Sequence, residues 1–248
     1  MARDLTEERH SVMSEFADKV VVITGATGNV GSAAARRFAG EGAKLVLVSR
    51  RAAALDRLVD ELNAETMVVT ADLANAGEVD ALVNQVEARW GQIDVLVHAA
   101  GGFAGGAHVY DPGTELLDRM WQTNVTPVYL TAGRVARHML EKGVRGHIVV
   151  VASRSALRGG ARAAAYAASK AAALRIVESL ALEVRDQGIH VNAVSPSTID
   201  SPENRAAMPK ADPDKWVTPE QVVDAIVFLA SAAGAGLYGA NLEVYGRV

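Results

Sequence analysis

The sequence predicts a doubly wound α/β fold, a parallel sheet covered by helices on both faces. Three observations predict it. Seven short runs rich in Val, Ile and Leu recur along the chain: Lys19–Thr24, Lys44–Ser49, Met67–Ala71, Ile93–Ala99, His147–Ala152, Ile189–Val194 and Asn241–Tyr245. Most are continuously apolar rather than alternating, which is how a strand buried on both faces reads. The stretches between them carry a helical period: Val79, Leu82, Val83, Val86 and Trp90 share one helix face. Finally, a glycine cluster stands where the first strand meets the first helix.

The first 17 residues are charged and lack the apolar core of a signal peptide. They read as a tail or short extra helix, and residues 18–248 as a single domain of a cytoplasmic protein. The first strand ends in Thr24-Gly25-Ala26-Thr27-Gly28-Asn29-Val30-Gly31, followed by an Ala-rich helix. Glycines let the backbone turn tightly and approach a pyrophosphate, and the helix N-terminus supplies free N–H groups and a positive dipole end. Dinucleotide binding by Gly25, Thr27, Gly28, Asn29, Val30 and Gly31 follows; the bland alternative is a tight strand–helix turn that binds nothing.

The end of the second strand selects the dinucleotide. An NAD site offers a carboxylate there, to the ribose hydroxyls. This chain has Ser49-Arg50-Arg51, and guanidinium groups grip a 2′-phosphate bidentately. NADP is expected over NAD, although Arg50 and Arg51 can also simply solvate the start of the next helix.

The proton chemistry gathers further along. Tyr166 and Lys170 stand four residues apart at the start of a helical stretch, Ala164–Arg185, and so share a face. A free tyrosine has a pKa of about 10, and a neighbouring ammonium favours its phenolate. Ser153 closes the fifth strand, where its hydroxyl can donate to a substrate oxygen. Asn124 precedes Pro127 in a helical pattern, and a proline there deprives the Thr123 carbonyl of its donor and loosens the backbone. The segment Asp200–Pro219 holds four of the seven prolines and leaves the carboxyl edge of the sheet, where ligands bind. It reads as a flap over the substrate, or as a surface connection. Phe103, Met208 and Trp216 offer an apolar wall; Arg154, Arg158 and Arg162 offer a partner for an anionic substrate or a solvated charged loop.

Composition limits the rest. A net charge of -4 gives no basic footprint for nucleic acid, and the absence of cysteine excludes disulfides and thiolate chemistry. No apolar run is long enough to span a membrane, and no metal site is expected.

With these residues in hand, the chain resembles the classical short-chain dehydrogenase/reductase family from about Asp18 to the end. The resemblance implies seven parallel strands, and a catalytic tetrad at Asn124, Ser153, Tyr166 and Lys170. It further implies an adenine-contacting acid at Asp72 beside Leu73, and cofactor contacts at Ala100, Gly101, Pro196, Ile199 and Ser201, with Tyr166 and Lys170 also beside the cofactor. It implies a small carbonyl or alcohol substrate, and a homodimer or homotetramer paired through long helices. Several positions depart from the pattern. The middle glycine, Gly28, comes one place early. The usual Asn-Asn-Ala-Gly reads His98-Ala99-Ala100-Gly101, where His98 is expected to replace a lost amide hydrogen bond. Pro196-Ser197 replaces Pro-Gly, a stiffer hinge for the flap. Ala99–Gly106 and Ser201–Pro209 look like dihydropteridine reductases, a subgroup that favours NADH and does not use the serine at the Ser153 position; the presence of Ser153 argues for ordinary carbonyl reduction. The competing functions are a dinucleotide-binding redox sensor without turnover, and a lyase or epimerase on the same scaffold.

Overall fold

A computed structural model describes residues 14–111 and 113–248. Strands β1 (Val20–Thr24), β2 (Lys44–Ser49), β3 (Thr66–Thr70), β4 (Val95–His98), β5 (His147–Val151), β6 (His190–Pro196) and β7 (Asn241–Val244) form one seven-stranded sheet in the order β3-β2-β1-β4-β5-β6-β7. Every pairing is parallel. The chain reverses direction of travel between β1 and β4, and a crevice opens above that switch point at the carboxyl ends of the strands.

The helices α1 (Asn29–Gly40), α2 (Ala52–Glu61), α3 (Ala76–Trp90), α4 (Glu115–Asn124), α5 (Thr126–Lys142), α6 (Ala164–Val184), α7 (Pro202–Ala207) and α8 (Pro219–Ala230) complete the chain. Two apolar layers sandwich the sheet. Leu82, Val135 and Val177 from α3, α5 and α6 pack on one face with Val22 and Leu96. Phe38, Leu55 and Ile226 from α1, α2 and α8 pack on the other with Ile23, Val95 and Val97. Successive residues of β4 therefore alternate between layers, as a strand must.

The proline expected to bend a helix does so. α4 ends at Asn124, Val125 adopts φ -101, ψ -58, and α5 starts with Pro127 in its first turn. Positions 1–13 of the expected tail lie outside the described residues. Residues Ser14–Ala17 do not behave as a tail: Phe16 is buried edge-on against Phe38 at 4.9 Å, and Glu15 accepts from the Ala232 amide at 2.8 Å. Among the described residues, no helix is long and apolar enough to cross a membrane.

The segment after β6 has structure of its own. Ser201 caps α7 through the Asn204 amide (3.2 Å), Pro202 opens that helix, and Arg205 grips Asp200 with two hydrogen bonds of 2.6 and 2.8 Å. The Ile199–Val217 bridge pins its base. Ser197, in place of the hinge glycine, donates from its hydroxyl to Tyr245 O at 2.7 Å and from its amide to Val244 O at 3.0 Å.

Candidate active site

The turn after β1 is shaped by backbone contacts. Gly25 has φ +62, and a Cβ there would stand 2.8 Å from both Ala99 O and Ala100 N. A Cβ on Gly31 would stand 2.2 Å from Gly25 O. Only glycine fits where the turn folds onto the helix it feeds. Gly28 is the N-cap of α1 with no side-chain cap, and no acidic residue stands in the first turn. Those helix-terminal N–H groups face the crevice, and the cradle they form fits the pyrophosphate of a dinucleotide. The Asn29 amide donates across the crevice to the Glu203 carboxylate on α7, at 3.3 Å.

Gly28, Asn29, Val30 and Gly31 line one wall of a cavity of about 890 Å³. Gly101, Pro196 and Ile199 line it further along, and Ser153, Tyr166 and Lys170 stand at its far end. The remaining candidates sit outside its walls. Thr27 Oγ1 meets Ser49 Oγ at 3.3 Å, and Ser49 Oγ accepts from the Arg51 amide at 3.3 Å, which ties the glycine turn to the end of β2. Arg50 and Arg51 are exposed, with no ion pair among the described residues. Asp72 is exposed and accepts from the Ala74 amide at 3.1 Å, while Leu73 is buried. Gly25 and Ala100 form the floor where β1 meets the exit of β4, and Ser201 is buried as the α7 cap.

Helix α6 delivers Tyr166 and Lys170 to one face, as their spacing requires. The Tyr166 ring meets Phe103 edge-on at 5.0 Å. Burial raises the phenol above its ordinary value of 10, and a hydrogen bond with Ser153 works in the opposite direction. Ser153 has extended backbone, φ -170, and its Oγ also accepts from the Ser155 amide at 3.2 Å, so it caps the turn Arg154–Ala156 while facing Tyr166.

Lys170 is buried and lines the same cavity. Its Nζ donates to Val151 O at 3.0 Å, and burial pulls its pKa down to about 8. Lysine pays for its position with a weakened proton affinity because a charge is costly away from water.

Asn124 is buried, and its amide is fully used. Oδ1 accepts from the Gly102 amide at 2.9 Å, and Nδ2 donates to Gly102 O at 3.0 Å and to Ser169 Oγ at 3.0 Å. The side chain thereby clamps the loop leaving β4. A Cβ on Gly101 would lie 2.9 Å from Asn124 Oδ1 and 3.3 Å from Lys170 Nζ, so this loop passes directly over the pair.

Other expectations need correcting. Neither ring nitrogen of His98 has a hydrogen-bond partner, so it replaces no amide bond. Complete burial, with the Lys170 charge adding to it, lowers its pKa to about 3 and keeps it neutral. Trp216 is buried away from the cavity, whereas Phe103 and Met208 do line it. Arg162 turns outward, with Nε donating to His108 Nε2 at 3.0 Å. The loop residue Gly102, gripped by Asn124, escaped sequence reasoning; the glycine pair Gly101-Gly102 was its one visible signal.

A family model described as short chain dehydrogenase matches residues 19–212. The chain is 34% identical over 241 residues to cis-4-hydroxycyclohexanecarboxylate dehydrogenase of Sinomonas cyclohexanicum, covering 93% of this chain and 96% of that one. It is 33% identical to meso-2,3-butanediol dehydrogenase of Serratia marcescens, covering 93% and 94%. A crystal structure of NAD+-bound xylitol dehydrogenase superposes with a TM-score of 0.86 at 27% identity, over 94% of this chain and 99% of that one.

Proposed function

The chain belongs to the short-chain dehydrogenase family and is an oxidoreductase, and we propose that it interconverts a carbonyl and an alcohol with NADP(H), Tyr166 being the proton-transferring residue. One observation carries this reading: the paired hydroxyls of Ser153 and Tyr166 lie in the same cavity as the bare N-terminus of α1. A nicotinamide, when bound, supplies or accepts the hydride. The Tyr166 phenol gives its proton to the substrate oxygen in reduction, since a phenol held above its usual pKa is protonated at neutral pH. Ser153 donates to the same oxygen and so steadies the charge developing there. Lys170, held by Val151 O beside the Gly101 backbone, binds ribose hydroxyls. Asn124 acts by positioning, since its amide fixes Gly102 and hence the loop over Lys170.

NADP over NAD is supported by two cationic residues and no acid at the end of β2. In this reading Ala100, Pro196, Ile199 and Ser201 would hold the nicotinamide half of the dinucleotide, and Asp72 and Leu73 its adenine half. A homodimer or homotetramer is supported by an apolar groove on α4, α5 and α6 that includes Trp121, Tyr129 and Ile176; light scattering of the purified protein tests it.

The decisive assay follows nicotinamide absorbance with a panel of ketones and alcohols and both dinucleotides. Net cofactor consumption with a lower KM for NADPH is expected. Product formed without net consumption would point to an epimerase or lyase, and cofactor binding without any turnover to a redox sensor.

A further inference from the structure

We propose that the substrate end of the cleft takes a ketone or secondary alcohol bearing a carboxylate, held by Arg154 and Arg158; the assignment rests on the reading of Tyr166 as the proton-transferring residue. Arg154 follows the Ser153 cap directly, Arg158 comes just after the capped turn, and both line the cavity. The walls of that cavity carry three cationic side chains, Arg154, Arg158 and Lys170, and no Asp or Glu side chain. Lys170 is buried, with its Nζ committed to Val151 O. Arg154 and Arg158 are thus the cationic side chains of that wall besides Lys170, and Val248 lines it too.

Neither arginine forms an ion pair among the described residues. Burial and Glu243 of β7 together push the Tyr245 phenol up to about 12, against the opposing charges of Arg154 and Arg158. The Arg154 guanidinium carbon lies over the Tyr245 ring, 5.1 Å from its centroid, a contact that holds the cation without using its N–H donors. Arg162, third in the run, is spent on His108 and takes no part.

The cavity wall also carries apolar side chains among polar ones such as Ser155, Thr198 and Asn204. Phe103 stands edge-on to Tyr166, and Ile199, Ala207 and Met208 line the same cavity. This arrangement asks for a molecule with an apolar body, its oxygen at Ser153 and Tyr166, and its carboxylate at the arginine pair. A carboxylate meets a guanidinium with two parallel hydrogen bonds, which fixes orientation as well as affinity. The arginines then decide which end of the substrate lies against Tyr166.

Calorimetric titration of the full chain with saturating NADP+ tests this, with cyclohexanecarboxylate and its neutral isostere cyclohexanecarboxamide as probes. The acid is expected to bind about 10- to 100-fold more tightly than the amide, the usual worth of a hydrogen bond to a charged group. That ratio should collapse in Arg158→Gln, survive in part in Arg158→Lys, and shrink with added salt. Arg158 is exposed, so its replacement leaves the core untouched. Equal binding of acid and amide, no binding of either, or an acid preference untouched by Arg158→Gln would overturn the proposal. A parallel assay of NADPH oxidation with 4-oxocyclohexanecarboxylate and a panel of neutral ketones separates the two readings. Acid-selective binding without turnover of any ketone sinks the dehydrogenase reading alone, and reduction of neutral ketones with no acid preference sinks the anion site alone.

Discussion

The two ends of the cleft are built on different principles. At the glycine turn the constraint is backbone against backbone: Gly25 folds onto Ala99 and Ala100, and Gly31 folds onto Gly25 O. At Tyr166 side chains do the holding: Ser153 and Phe103 meet the phenol, while Lys170 and Asn124 grip the backbone of Val151 and Gly102. A backbone site tolerates no added atom, yet has no proton to tune. A side-chain site can be retuned one group at a time, at the cost of buried charge. The difference teaches where each kind of damage should appear: substitutions at the turn should strike binding, and those at the far end should strike the chemical step.

The comparison breaks most sharply at Gly31. Gly31→Ala should cost about 1–3 kcal/mol of stability, because the added methyl overlaps backbone that cannot yield as a flexible side chain would. Dinucleotide affinity should fall by more than tenfold with it; thermal melting and fluorescence titration read the two effects, and a variant that binds normally would show that the turn is not the cradle. Next in size is the arginine corner. Replacing Arg50 and Arg51 together by alanine should raise the KM for NADPH about tenfold or more while moving the value for NADH little. Equal changes for both cofactors would place the arginines outside the 2′-phosphate site.

A pH-dependent effect, absent at neutral pH, sharpens the electrostatic side. His98 and His147 are held neutral by burial, with pKa values near 3 and 4 against an ordinary 6.5. The unfolded chain takes up these protons first as pH falls below 6.5, so stability is complete above that value and drains away towards pH 3 to 4. Each histidine contributes a slope of at most about 1.4 kcal/mol per pH unit. Melting curves across this window should flatten in His98→Gln; an unchanged slope would mean that His98 takes up its proton without cost in the folded protein.

Much of the architecture was legible because sheets buried on both faces leave a coarse signal. Each of the seven apolar runs overlaps one strand, with ends shifted by a residue or two where capping and turn geometry override the pattern. Tyr166 and Lys170 were legible because helical spacing alone puts them on one face. The direction of Lys170 towards Val151 O was not, since a side chain's choice of partner depends on an element far away in sequence. The same holds for the grip of Asn124 on Gly102. Trp216 misled because aromatic residues near a cleft look alike in sequence whether they face in or out. Helix α7 was readable in hindsight: Ser201-Pro202-Glu203 is a cap, a first-turn proline and an acid at the dipole's positive end, in the order that starts a helix. The packing of Phe16 on Phe38 had no such local sign.

The measurement that bears most directly on the account is the turnover of Tyr166→Phe with NADPH and any ketone the native enzyme reduces, alongside the cofactor's dissociation constant in the same variant. Removing the proton donor while keeping the ring should lower turnover by at least about 100-fold, with the loss falling mainly on kcat. A variant that turns over at the native rate would contradict the assignment of Tyr166 and leave the cleft a dinucleotide site whose proton source lies elsewhere.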